Sequence, residues 1–401
     1  MPKIVLINPP SPFLISDKVF PPLGICYISA YLKKHGYDPE IIDLAGKKKI
    51  PEIDADIIGL SAVTPQYPYA QEILKELKYR RKIKAQYVIG GPHATCAPDS
   101  CRKYPSFDTV VRGEGEETML LLAKHYPLRD LEISNLVVED INTIPFPDRT
   151  AIDIYGYKYN IDDVPATTMI TSRGCPYSCA FCSSIYPRMR QHSASYVIEE
   201  IKEVQKLGYE AVHFFDDIFI LNKKRLFKIC EYLGKERIIW RCFIRADIIS
   251  EEVMKVMAQS GCKEVGIGIE SGSQKILNVI SKGTTVEQNT KSIELTRKYG
   301  IRSKAFIIIG LPGESKETIK ETEQFIQSVE LDDVDFTILQ VFPDTDIYKN
   351  PQKYDLKFER GTFYKGMPNH YNECSPISTR SLSFEEIVNA RDRLEKKFKR
   401  W

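Results

Sequence analysis

The chain has 401 residues, 43% hydrophobic and 27% charged, the balance of an ordinary globular protein of two or three domains and not of a disordered, collagen-like or coiled-coil chain. Its 56 Lys and Arg against 54 Asp and Glu leave a formal net charge of +2, which argues against a dedicated nucleic-acid surface. No run approaches the roughly 18 apolar residues of a membrane span, and MPKIVLINPPSPF breaks at two prolines after one short apolar run, so a secretory signal is not expected and the chain is read as cytoplasmic.

The first part alternates β-rich runs with helical patterns. Strands are predicted at Lys3–Asn8, Pro39–Leu44, Asp56–Ala62, Tyr87–Gly91 and Asp108–Gly113. Helices are predicted at Leu23–His35, stopped by Gly36, at Tyr69–Lys82 and at Glu116–His125. Near-continuous apolar runs suit strands buried on both faces of a parallel sheet, so residues 1–140 read as a doubly wound α/β domain. Residues 141–165, rich in Pro and Asp without a clean period, read as a linker.

The alternation restarts over 166–345. Strands are predicted at Thr167–Ser172, Ala211–Asp217, Ile238–Asp247, Glu264–Ser271, Ser303–Gly310 and Asp333–Phe342, with helices near 195–207, 222–234, 250–260, 286–299 and 315–329. Six strands with intervening helices suggest a partial (β/α)6 TIM-like barrel, whose functional residues would sit at the C-terminal strand ends. Residues 346–401 form a small tail: an irregular aromatic stretch, then a helix opened by the capping box SFEE at Ser383–Glu386 and closed by a basic run that suits the negative end of the helix dipole.

Ten cysteines need an account. Cys26, Cys230, Cys242 and Cys262 lie in apolar strand or helix contexts and are expected in the core. One tight cluster exists, RGCPYSCAFCSS, with Cys175, Cys179 and Cys182 spaced C-x-x-x-C-x-x-C on a loop after a strand. Three thiolates this close can hold three irons of an iron–sulfur cube and leave the fourth open. A zinc site would call for a fourth ligand, for which His192 is the nearest candidate.

That spacing, with Phe181 before the third cysteine, resembles the radical S-adenosylmethionine signature, and the six-strand pattern over about 166–345 resembles that family's partial barrel. The resemblance implies a [4Fe-4S] cluster on Cys175, Cys179 and Cys182 whose unique iron chelates S-adenosylmethionine, and reductive cleavage to a 5′-deoxyadenosyl radical. It implies cofactor contacts from Asp216 and Asp217 (of which only one can face the barrel), Arg245, Glu270, Ser271, Gly310, Gln340 and Phe342, besides Phe181. An external electron donor such as ferredoxin or flavodoxin is implied as partner.

Residues 1–135 resemble the cobalamin-binding domain that precedes many radical enzymes, through PPLGICYISAYLKKHGY, GLSAVTPQ, GGPHAT and RGEGEET. Thr64, Gly90, Gly91, Thr95, Gly113 and Glu114 are the implied cofactor contacts. D-x-H-x-x-G is missing, so no protein histidine is expected on cobalt, and Pro65–Tyr69 is the guess for the lower face. No G-x-G-x-x-G follows the first strand, which disfavours a dinucleotide site.

Together the two halves resemble cobalamin-dependent radical S-adenosylmethionine methyltransferases, in which hydrogen is removed from an unactivated carbon and methylcobalamin donates the methyl. Residues 363–374 are expected to line the substrate entrance, with Tyr364, Tyr371 and Cys374 as catalytic candidates and His370 beside them. A compact tail is compatible with a peptide or protein side chain as substrate. Two rivals stay open: cyclisation or rearrangement without methyl transfer, and a non-catalytic cobalamin or iron–sulfur sensor. A methylthiotransferase is disfavoured because residues 1–135 lack a second cysteine cluster.

Overall fold

In a computed structural model, which describes every residue except 15, 48, 104, 129–130, 135, 184–185, 187, 361–375 and 400–401, the apolar runs of the N-terminal half form six parallel strands: β1 (Ile4–Asn8), β2 (Glu40–Asp43), β3 (Ile57–Ser61), β4 (Gln86–Gly90), β5 (Thr109–Arg112) and β6 (Leu131–Ser134). Their order is β2-β1-β3-β4-β5-β6. Ile4–Ile7, Ile57, Ile58, Val88 and Ile89 are buried, as strands covered on both faces must be. The order reverses between β1 and β3, so the loops after these two strands flank the switch point where open α/β sheets bind ligands. The sixth strand was not expected; a four-residue edge strand has too few positions to declare a period.

The chain divides into two units, one built essentially on Met1–Lys158 and one essentially on the chain from Tyr159 onward. The second holds β7 (Asn160–Ile161), β8 (Val164–Met169), β9 (Ser172–Arg173), β10 (Arg190–Gln191), β11 (Ala211–Phe214), β12 (Ile239–Ile244), β13 (Cys262–Glu270), β14 (Arg302–Ile309) and β15 (Asp333–Ile338). Strands β8 and β11 to β15 are six parallel neighbours in chain order, with β7 antiparallel at the β8 edge. A helix fills each crossover: Ala194–Lys206, Lys223–Lys235, Glu251–Gln259, Val286–Lys298 and Lys316–Ser328. Along β12, β14 and β15 buried and half-buried residues alternate. The buried set packs under the helices and the half-buried set lines the concave face, which is the expected half-barrel.

Local chemistry starts each helix just after a strand end. Ser193, Asn222, Ser250, Thr285 and Ser315 each accept a backbone N–H of the first turn, a contribution of about 1 kcal/mol per cap. The short pair β9 and β10 is antiparallel, Arg173 opposite Arg190, and pinches the cysteine loop at its base. The last predicted strand is shorter than expected: β15 ends at Ile338, before Phe342-Pro343, so Gln340 and Phe342 lie in the following loop. In the tail, β16 (Lys357–Phe358) pairs with β17 (Ile377–Ser378). The helix Phe384–Phe398 opens with the expected capping box and buries Ile387 and Leu394. No helix among the described residues is long and apolar enough to cross a membrane.

Gly91 marks the tightest turn at the first sheet's ligand edge. Its φ is +89°, and a Cβ there would meet Ser61 Oγ at 2.8 Å and the Ala62 backbone at 3.0 Å. Gly91→Ala is expected to destabilise the chain by about 1–3 kcal/mol, read as a lowered urea midpoint; an unchanged midpoint would contradict this packing.

Candidate functional site

The cysteine loop leaves the end of β9 and is held from three directions. Ala180 donates its N–H to Ile280 O at 2.9 Å and accepts from Ile347 N at 3.2 Å, and Cys182 N bonds Cys179 O at 3.0 Å. Ser183 Oγ donates to Asp344 at 2.7 Å. The third hold is Arg245, just past β12. Its guanidinium lies 3.6 Å from the Tyr177 ring centroid, pairs with Asp247 at 3.0 Å, donates to Lys282 O at 2.6 Å and reaches Cys179 Sγ at 3.5 Å.

Desolvation raises the Cys175 thiol and pushes Cys182 up to about 12 although that residue reaches the surface, with the charges of Cys179, Asp217 and Cys175 adding to the latter. The three thiols are thus close enough to act on one another. Among the described residues no three His, Cys, Asp or Glu side chains converge on one point as a single ion would require. His192, the possible fourth ligand of a zinc site, is buried, stacked on Tyr196 at 3.9 Å, and burial with nearby Arg173, Arg225 and Arg190 pushes it down to about 3. Three cysteines on one loop suit three irons of a polynuclear cluster, whereas mononuclear zinc would call for a fourth ligand, and His192 is held in the core.

The adjacent acids separate, although β11 ends at Phe214 and both lie in the loop after it. Asp216 is buried and spends its oxygens on Thr171 N (2.9 Å), Thr171 Oγ1 (3.0 Å) and Ser172 Oγ, while Arg225 bonds Thr171 O at 2.9 Å. Neither acid caps the next helix; Asn222 does. Asp217 is exposed, its carboxyl is raised by desolvation, and it acts on Cys175 and Cys182.

Glu270 ends β13 with φ +63° and pairs with Lys282 at 2.6 Å, both nearly buried. Lys282 Nζ also stands 6.0 Å over the Phe181 ring. Ser271 is fully buried and bonds Thr322 Oγ1 at 3.1 Å. Gly310 has φ +87°, and a Cβ there would meet Ile377 at 2.7 Å. Its N–H is taken by Glu314, whose other oxygen is buried without a partner. Both side-chain polar atoms of Gln340 are likewise buried and unpartnered. A primary amide offers one donor face and one acceptor, the complement of an adenine edge. The orphaned Gln340 amide therefore fits the adenosyl group that the cysteine loop implies.

The N-terminal unit has its own laced edge. Thr95 Oγ1 donates to Gly91 O and accepts from Gly113 N, both at 2.9 Å. Gly113, at φ +91°, follows β5, and Glu114 is buried. Gly90 ends β4, where an added Cβ would meet only Val111 at 3.6 Å. Thr64 is buried, 3.4 Å from His93 Nδ1. His93 is fully buried, stacked on Tyr67 at 3.9 Å with Nε2 2.8 Å from Ser100 Oγ, and burial pushes it down to about 4. After β3, Val63 and Tyr69 are 37% and 40% exposed, large apolar groups left open beside glycine turns. An apolar edge with close backbone approach fits a broad macrocycle such as a corrin.

Tyr364, His370, Tyr371 and Cys374 lie outside the described residues. Reading the sequence missed Lys282, Glu314, Tyr177 and Thr322. The Lys282–Glu270 and Glu314–Gly310 partnerships need the turns of the chain to exist before they can be seen.

Residues 169–326 match the Radical SAM superfamily and residues 16–123 the B12 binding domain. An uncharacterized methyltransferase of Pyrococcus horikoshii is 33% identical over 382 residues, covering 86% of this chain and 82% of its own. The anaerobic magnesium-protoporphyrin IX monomethyl ester cyclase of Cereibacter sphaeroides is 28% identical, covering 82% of this chain and 60% of its own. Among solved structures, the radical S-adenosylmethionine methyltransferase TsrM of Kitasatospora setae, with cobalamin and a [4Fe-4S] cluster bound, superposes with a TM-score of 0.75 at 17% identity, over 98% of this chain and 91% of that one; that likeness is one of fold.

Two expectations follow from the geometry. Replacing Cys175, Cys179 or Cys182 by Ala should abolish iron and sulfide retention after anaerobic reconstitution, whereas Cys230→Ala, in the core, should leave it intact; equal retention in all four proteins would remove the cluster. Burial also pushes Glu314 up to about 8. Between the ordinary carboxyl range and that value the folded chain keeps a proton that the unfolded chain has lost, so Glu314 makes stability fall as pH rises through this window, by at most about 1.4 kcal/mol per pH unit. Glu314→Gln should flatten the fall in urea midpoint over that window, and an unaltered slope would contradict the assignment.

Proposed function

The chain belongs to the radical SAM superfamily, with a B12 binding domain ahead of its barrel, and we propose that it is a cobalamin-dependent radical S-adenosylmethionine methyltransferase that methylates an unactivated carbon. The observation that carries this reading is the three-cysteine loop at the C-terminal edge of a six-stranded half-barrel, in one chain with a cobalamin-type α/β domain. When bound, the [4Fe-4S] cluster, S-adenosylmethionine and cobalamin supply the radical and methyl-transfer chemistry.

The protein's share is positioning and exclusion of water. Cys175, Cys179 and Cys182 hold the cluster, and Arg245 keeps their loop against β12. Asp217 takes the amino group of the cosubstrate, because the oxygens of Asp216 are already spent on Thr171 and Ser172. The Gln340 amide meets the adenine, and Gly310 lets the turn after β14 pass close against Ile377. Glu270 faces the cosubstrate with its charge balanced by Lys282. Ser271 acts at one remove, by fixing the turn after β13 through Thr322. In the N-terminal domain Gly90, Gly91 and Gly113 allow close approach of the corrin. Thr95 locks the turns, and Thr64 and Glu114 sit behind them.

An external one-electron donor of the ferredoxin or flavodoxin class supplies the reducing equivalent, and the reducing cytoplasm is the setting such a cluster needs. Ring closure without methyl transfer is the second reading, favoured by the relative that carries a cyclase name.

Anaerobically reconstituted protein with reductant, S-adenosylmethionine and cobalamin is expected to form 5′-deoxyadenosine and, with its substrate, a product heavier by one methylene whose label comes from methyl-labelled S-adenosylmethionine. A product of unchanged carbon count points to ring closure. A fully loaded protein that forms no 5′-deoxyadenosine is a sensor and not an enzyme.

A further inference from the structure

The concave face of the half-barrel carries a feature that cofactor binding leaves unused. On β12 the half-buried, inward set is Arg241 and Phe243, continued two residues on by Arg245; on β14 it includes Arg302, Lys304 and Phe306; on β15 it is Asp333, Asp335 and Thr337. Towards the N-terminal strand ends the charges cancel: Arg241 pairs with Glu264 at 2.7 Å, and Lys304 with Asp333 and Asp335, both at 2.9 Å.

Above this neutralised floor lies an aromatic layer. Phe243 meets Phe306 at 5.8 Å and Phe215 at 5.4 Å, both edge-to-face, and His213 sets its ring against Phe215 at 4.8 Å and Phe243 at 5.0 Å. Gly266 on the strand between makes this arrangement possible: a Cβ there would lie 2.7 Å from both the Phe243 and Phe306 rings. Phe215, just past the end of β11, is 39% exposed, a large apolar side chain left open. The layer ends directly below the cysteine loop, since Arg245, next on the Phe243 face, touches Cys179.

We propose that Phe215, Phe243 and Phe306 form the specificity wall for the methyl acceptor, which presents to it a neutral, flat, unsaturated ring. Edge-to-face rings offer both faces and edges to such a group. A charged group would instead be desolvated above ion pairs whose charges already cancel. Burial keeps the His213 imidazole neutral, so it adds no charge to the wall. What happens to the bound ring rests on the methyltransferase reading; that a ring binds rests on the barrel alone.

The test uses the reconstituted full chain and three probes on one two-ring frame: 2-naphthol, its saturated analogue decahydro-2-naphthol, and the charged 2-naphthyl phosphate, with dissociation constants from anaerobic calorimetry. 2-Naphthol is expected to bind about tenfold more tightly than either of the others, the effect of one or two aromatic contacts. Phe215→Ser, at a partly exposed position, and Gly266→Ala, which drives the rings apart, should each remove that preference. Equal affinities for the three probes, or a preference that survives both substitutions, overturn the wall. Formation of 5′-deoxyadenosine by the wild-type protein is scored separately. A protein that cleaves S-adenosylmethionine without preferring 2-naphthol loses only the wall, and one that prefers 2-naphthol without cleavage loses only the enzyme reading.

Discussion

One guanidinium organises the barrel site. Arg245 stacks on Tyr177, pairs with Asp247, caps the Lys282 carbonyl and touches the Cys179 thiol, so a single planar fork joins the end of β12 to the cysteine loop and to the turn after β13. Only arginine has donors enough, fixed in direction, to serve all of these at once; a lysine would be a point charge able to satisfy one or two. Among the described residues the loop is also tied by the two backbone bonds of Ala180, the Ser183–Asp344 bond, Lys282 over the Phe181 ring and the β9–β10 pinch. Metal ligands are held in place largely by the groups behind them, and here most of those groups meet at Arg245.

The two units solve the same problem with different chemistry. In the function proposed above, each gathers its ligand groups at the C-terminal edge of a parallel sheet. The barrel does so with charge, through the Glu270–Lys282 pair and the exposed Asp217. The N-terminal sheet does so with backbone, through Gly91, Gly113 and the Thr95 bridge between them. Its one central imidazole, His93, is spent on Tyr67 and Ser100 within the core.

Much of this was legible before any coordinates, because it is written in period and spacing. Buried parallel strands appear as unbroken apolar runs, and a cysteine triad on one loop has few meanings. What stayed hidden was contact between residues distant in sequence. Nothing local distinguishes Asp216 from Asp217; only the position of Thr171, 45 residues earlier, decides which acid is occupied. Lys282 reads as a surface lysine until the turn after β13 folds it onto Glu270. The aromatic wall was invisible for the same reason: Phe243 and Phe306 sit on two separate strands and Phe215 just past the end of a third, and Gly266 looks like an ordinary strand glycine until its neighbours across the sheet are known.

The distribution of thiols has a consequence for how this protein matures. Burial lifts Cys26 to about 12, Cys101 and Cys230 to about 11, and Cys242 and Cys262 well above the ordinary range. Thiolate is the form that captures iron and reacts with oxidants, so these residues stay out of both chemistries while the chain is folded. The loop thiols differ in access: Cys175 and Cys179 are half-buried and Cys182 is exposed. Among the described residues, folding thus sorts the cysteines by access to incoming metal and oxidant, and a chain rich in sulfur leaves its open thiols on one loop.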